Sequence, residues 1–288
     1  HMRQKLVMPN TNGGSTLTGG NDFNADPAGV LTSRAFSEAH LIAGTGRRIV
    51  EKSFEHFLCA PIDSWRDAEL SDVHVGRDVE RFPNGPASHD DYLNTCKSCH
   101  GPMDAMRGAF AQYHFENGYL KFAPYFIERT TNIENNNDAA EDLNRMKLSP
   151  ACQESNPGCG PNGIGANAPR VPIAWKLNHN VNYADGKFTT DDAFTNFLTT
   201  PRHVTRFGWS GGLSGNGPRE YGRMLANSQA FPSCMAKKVY AEVCRDDPFR
   251  AGFPAEMGTW LDGVAEQFVS QGYDLKDLFE TVALGCVE

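Results

Sequence analysis

A short run in the first half of the chain, Cys96-Lys97-Ser98-Cys99-His100, constrains it more than any other feature. On a helix, cysteines three apart share one face. The histidine that follows at once can turn its ring toward whatever the two sulfurs hold. Covalent attachment of a haem makes these demands: two thiols within reach of two vinyl groups, and an imidazole beside them within reach of iron. Asp90, Asp91, Tyr92 and Leu93 precede the run and suit a helix start, so residues 89–113 are expected to form the haem-bearing helical region. Two rival uses of paired cysteines fit less well. A four-cysteine zinc site needs a second closely spaced pair, but Cys152 and Cys159 stand seven apart and Cys234 and Cys244 ten apart. A thioredoxin-like dithiol needs a preceding strand in a βαβ setting, which the sequence around residue 96 does not suggest.

In this reading His100 is the proximal iron ligand, and Cys96 and Cys99 carry the haem. Electron-carrying haem iron often has methionine opposite histidine. Met103 and Met106 follow His100 on the same segment and should stay on its side of the ring. Met224, in Gly222-Arg223-Met224-Leu225, and Met146 are the distal candidates, with Met235, Met257, His179 and His203 behind them. An open or water-bound position is the remaining option. Arg107, Arg202, Arg206 and His114 are candidates to meet the anionic propionates. Trp209 and Tyr221 flank a glycine-rich loop and are candidates to pack on the haem. Each of these also reads as an ordinary core or surface residue, methionine above all.

The other six of the eight cysteines are Cys59, Cys152, Cys159, Cys234, Cys244 and Cys286. An even remainder beside a motif that implies export suggests disulfides. Cys152 and Cys159 bracket a short loop and are expected to pair. If residues 231–245 form one helix, Cys234 and Cys244 lie about 15 Å apart along it. Bonded cysteines need Cα atoms within about 7 Å, so each must find Cys59 or Cys286. Cys59–Cys234 with Cys244–Cys286 is the preferred arrangement.

Composition removes several function classes. The net charge of -8 and the lack of a Lys/Arg cluster argue against a nucleic-acid partner. No apolar run approaches the length needed to span a bilayer. No nucleophile elbow or phosphate-binding glycine loop is present. His1-Met2 reads as a cloning remnant, and no export signal is visible, as expected of a processed chain.

Helical signals dominate the rest. Residues 31–59 read as helix broken at Gly44-Thr45-Gly46, with Thr32 or Ser33 as a cap. A further helix is expected from about Asp191, a loop over 201–218, and helices over roughly 219–228, 231–245, 254–271 and 274–285, the last capped by Asp274. Asp22, Asn24 and Asp26 alternate like calcium ligands, but Pro27 stands where such a loop needs glycine. The expected architecture is mostly α, an irregular helical protein with long loops. Residues 1–29 form a flexible lead-in, 30–200 a haem-binding module with an irregular insert at 128–170, and 201–288 a C-terminal helical module packed on it.

Beyond the motif, the chain resembles the C-terminal cytochrome-like modules of large secreted proteins from planctomycetes and proteobacteria. The likeness runs through Ala28-Gly29-Val30-Leu31-Thr32, Arg47-Arg48-Ile49-Val50 and Leu58-Cys59-Ala60-Pro61. It continues in Cys96-Lys97-Ser98-Cys99-His100-Gly101-Pro102-Met103-Asp104 with Gly108 and Phe110. It closes on Leu225 through Cys234, Lys237-Lys238-Val239-Tyr240, and Phe268 through Leu278, covering most of residues 28–286. The resemblance implies a haem-binding, exported protein, periplasmic or extracellular, and no defined reaction; the motif itself leads to the expectation of a c-type cytochrome with one covalent haem c. The expected function is one-electron transfer with a redox partner protein. The alternatives are a peroxidase-like enzyme with an open iron site and a structural or filament-forming haem protein.

Overall fold

Where a capping side chain and an apolar stripe coincide in this sequence, a helix forms. The computed structural model describes residues 26, 28–41, 45–76, 79, 90–111, 113–116, 119–122, 127–128, 147–148, 187, 189 and 191–286. These are mostly helical. Ser33 is extended, and its hydroxyl accepts the Phe36 N–H to open α1, Arg34–His40. After a break at Gly46, α2 spans Arg47–Phe57 and buries Ile49, Val50, Ser53 and Phe54 along one face. Helix α3, which carries the Cys96–His100 run from Lys97 onward, spans Lys97–Arg107 and follows a wider π turn at Tyr92–Cys96. The later helices are α4 (Pro201–Phe207), α5 (Gly217–Ala226), α6 (Ala230–Cys244), α7 (Ala255–Ser270) and α8 (Leu275–Gly285). No described helix is long and apolar enough to cross a membrane.

The chain divides into two compact units, each gathered from separate segments. The first comprises residues 1–50, 66–197 and 214–221. It holds α1, the first turn of α2, α3 and three short antiparallel strand pairs. Strand β1 (Tyr113–Glu116) pairs with β2 (Tyr119–Phe122), β3 (Ile127–Glu128) with β4 (Lys147–Leu148), and β5 (Ala193–Thr195) with β6 (Ser214–Asn216). Strand β5 runs against the end of α3. A Cβ built on Gly108 would stand 2.0 Å from the Ala193 carbonyl oxygen, so only glycine fits there. Tyr221 packs edge-on against both Phe110 and Phe194. Asp26 accepts the Arg219 N–H at 2.8 Å and pairs with its guanidinium at 3.1 Å. The other two residues of the calcium-like run, Asp22 and Asn24, lie outside the described residues.

The second unit comprises residues 51–65, 198–213 and 222–288. Its core forms where α6, α7 and α8 pack Ala236, Val239 and Tyr240 against Leu261, Val264, Phe268, Leu278 and Val282. Asp274 caps α8 by accepting the N–H groups of Lys276 and Asp277. Two disulfides staple this unit. Cys59–Cys234 has its Cα atoms 5.3 Å apart and Cys244–Cys286 has them 5.4 Å apart. An aromatic cluster of Phe54, Trp65, Phe207 and Trp209 gathers the 51–65 segment onto α4. Residues 51–65 therefore belong with the C-terminal helices and not with their sequence neighbours.

Two local expectations are corrected. The segment after Asp191 is strand β5, not a helix. Asp191 turns the chain by accepting the Ala193 N–H, and the alternation places Phe194 inside while its partners across the ladder are Ser214, Gly215 and Asn216. Within the expected loop at 201–218, residues Pro201–Phe207 are helical. Proline at the first helical position and Gly208 in the left-handed region (φ 56°) just past the end bracket that helix. Most of the insert, residues 129–146 and 149–170, lies outside the described residues, as do Cys152 and Cys159.

Candidate functional site

The π turn and α3 carry the motif as one continuous helical segment. Tyr92 is buried at its start and donates its hydroxyl to the Asp72 carboxylate at 2.8 Å. Pro102 stands inside the helix and has no N–H for the Ser98 carbonyl four residues back. That carbonyl is not orphaned, because the Asp67 N–H donates to it at 2.8 Å. At Gly101 a Cβ would lie 3.2 Å from the Ser71 carbonyl oxygen, so the 66–76 segment crosses close over the helix. From Gly101 to Phe110 every residue is buried, whereas Cys96, Cys99 and His100 are half-exposed. The segment is thus anchored by its second half and presents the motif at its accessible end. Cys96 and Cys99 remain free thiols, while the other four described cysteines are all bonded.

Behind the motif lies a fully buried carboxylate, Asp104, one helical turn after His100. Arg47 grips it with both arms of its guanidinium, Nε to Oδ1 at 2.6 Å and Nη2 to Oδ2 at 2.7 Å. The Gly76 N–H donates to Oδ2 at 2.9 Å, and Arg107 Nη2 stands 3.9 Å from the same oxygen. His100 Nδ1 lies 3.3 Å from Oδ1. Burial pushes the Asp104 carboxyl up. The guanidinium charges of Arg107 and Arg47, with the hydrogen bonds from Arg47 and His100, outweigh it and hold the group well below the usual carboxylate range. An ionised carboxylate only accepts, so the proton of neutral His100 is assigned to Nδ1. Its Nε2 keeps a lone pair with no hydrogen-bond partner among the described residues.

The other candidates fall in both units. Arg107 is buried, with its guanidinium donating to the Thr45 carbonyl at 3.4 Å and its charge beside Asp104. Tyr221 is buried in the first unit. Trp209, in the second unit, donates its indole N–H to the Leu198 carbonyl at 2.9 Å and stacks on Phe207. Met224 is buried on α5 within the residues of the second unit. His203 is fully buried, hydrogen-bonded to Thr200 Oγ1 and the Trp65 carbonyl. Met235 and Met257 pack on the α6–α8 core. Arg206 lies over the Phe207 ring and Arg202 beside His203. Met146 and His179 lie outside the described residues, and of the His114 side chain nothing is described.

No protein-family model, curated protein or solved structure matches this chain. The chemistry of the site therefore rests on the side chains themselves. Among the described residues, no three His, Cys, Asp or Glu side chains converge so as to hold one metal ion. Sequence reasoning placed Asp104 in the motif but missed its role. The signal was present: histidine and aspartate four apart on a helix face each other. Arg47, fifty-seven residues away, gave no such signal.

Proposed function

We propose that the chain is a monohaem c-type cytochrome that carries single electrons in the periplasm or outside the cell. The observation that carries the reading is the pair of free thiols beside an imidazole whose Nε2 is left available. Two bonded pairs elsewhere support an oxidising compartment, where an unpaired, half-exposed dithiol needs a separate reason to persist. The donor set also fits the group. Two thiols bound for the ring edge and an imidazole bound for its centre need not converge on one ion.

Haem c, when bound there, would supply a one-electron iron couple for exchange with redox partner proteins. In attachment, each thiol S–H adds across a vinyl C=C, sulfur to one carbon and hydrogen to the other, so no oxidant is consumed. Cys96 and Cys99 would hold the ring through thioether links, and His100 would offer its Nε2 to the iron. Asp104 holds the other ring nitrogen, setting tautomer and orientation. A second reading, an enzyme with an open iron position that reduces peroxide with electrons from a partner protein, is favoured by that carboxylate, because a more basic imidazole stabilises ferric iron.

Exported through a haem-attachment system, the protein is expected to show one reversible one-electron wave. The Cys96→Ala/Cys99→Ala variant is expected to release all haem on acid–acetone extraction while retaining its helical circular dichroism. A wave that survives this double substitution unchanged contradicts the assignment. Rapid peroxide turnover by the wild type, without the weak charge-transfer band of a methionine-ligated ferric iron, favours the enzyme.

A further inference from the structure

We infer that Asp104 and Arg47 are positioning residues that set the haem potential in opposite directions, through the hydrogen bond from His100 Nδ1. This rests on the haem reading above. The network has a defined order. Asp104 takes the imidazole N–H on Oδ1, and the same oxygen takes Arg47 Nε at 2.6 Å, a much shorter contact than the 3.3 Å to His100. Oδ2 is shared by Arg47 Nη2, the Gly76 N–H and, farther off, Arg107. All four partners lie in the first unit.

A carboxylate acceptor draws the Nδ1 proton and makes Nε2 a stronger donor to iron. Stronger donation, with a negative charge behind the ring, favours the ferric state. Arg47 works against this. Its bidentate grip draws charge out of Oδ1, so the imidazole receives only part of what a bare carboxylate would give. The long His100 contact and the short Arg47 contacts are what such a division predicts. The side chain of Arg47 is 15% exposed and that of Asp104 is 0% exposed, so water screens the pair little.

The test uses the exported holoprotein and two substitutions, the isosteric Asp104→Asn and the uncharged, shorter Arg47→Gln, each first checked for covalent haem by its pyridine haemochrome spectrum. Asp104→Asn is expected to raise the potential and Arg47→Gln to lower it. Each shift is expected to be about tenfold in the ferric-to-ferrous ratio at fixed ambient potential, about 59 mV for a one-electron couple. A purely structural role moves both the same way, because loosening the site admits water in either variant. Shifts of the same sign, or shifts under about twofold, overturn the inference. If Asp104→Asn fails to hold haem, the sign of the Arg47→Gln shift decides. If both fail, the iron–histidine stretch of the photolysed carbon monoxide adduct of the wild type decides. A high frequency typical of carboxylate-bonded imidazole supports the inference, and that of a carbonyl-bonded imidazole overturns it. Wild-type protein without covalent haem ends the functional reading itself, a separate outcome.

Discussion

Asp104→Ala is expected to destabilise the folded protein by about 3–5 kcal/mol, the usual cost of removing one partner of a buried ion pair. Nothing in the haem chemistry is needed for this effect. The carboxylate neutralises Arg47 and stands beside Arg107, whose side chains are only 15% and 2% exposed. Truncation takes the Asp104 carboxylate away from both guanidinium groups and removes the acceptor for the Gly76 N–H. The buried Gly76 N–H, losing that acceptor, adds a desolvation penalty of about 1–3 kcal/mol. Asp104→Asn should cost less, since the amide keeps the shape and one acceptor oxygen. For a domain whose whole stability is about 5–15 kcal/mol, the alanine variant should unfold at a markedly lower urea concentration. A midpoint unchanged within error would mean that the network is ornamental.

The second large effect concerns the Cys59–Cys234 bond. It closes a span of 175 residues, against 42 for Cys244–Cys286. On the chain-entropy account, these loops correspond to about 5 and about 4 kcal/mol. The Cys59→Ser/Cys234→Ser variant should therefore lose the larger amount. It also frees the turn after α2, where Cys59 itself stands at φ 49°, a left-handed conformation that favours glycine. Urea unfolding followed by tryptophan fluorescence reads the loss, because Trp65 packs against Phe54 in this unit. Equal stability of the oxidised protein and the double serine variant would contradict the argument.

Much of this was legible in the sequence, because the signals were local or were limited by helix geometry. Ser33 and Asp274 cap where their side chains predict. The α6 helix keeps Cys234 and Cys244 too far apart to pair, which leaves Cys59 and Cys286 as partners, and the structure joins them in the preferred way. The misreadings have equally physical causes. The sequence from about Asp191 reads as a helix, but the three residues of β5 take their conformation from a partner strand some twenty residues later. Helix α4 is seven residues long, about two turns, too short for an apolar stripe to stand out beside Pro201 and Gly208, which read equally well as loop punctuation. The assignment of residues 51–65 to the second unit depends on Trp65, His203 and a disulfide that act over long sequence distances. At the site, the two thiols and the imidazole were visible at once. The buried guanidinium that grips Asp104 was not, since no periodicity links Arg47 to a position fifty-seven residues later.

The most direct measurement is the intact mass of the exported protein, taken with a thiol count under denaturing, non-reducing conditions. The account predicts the bare polypeptide plus one haem, with neither Cys96 nor Cys99 able to react with a thiol reagent. A colourless protein of polypeptide mass, with both motif thiols titrating freely, would contradict it.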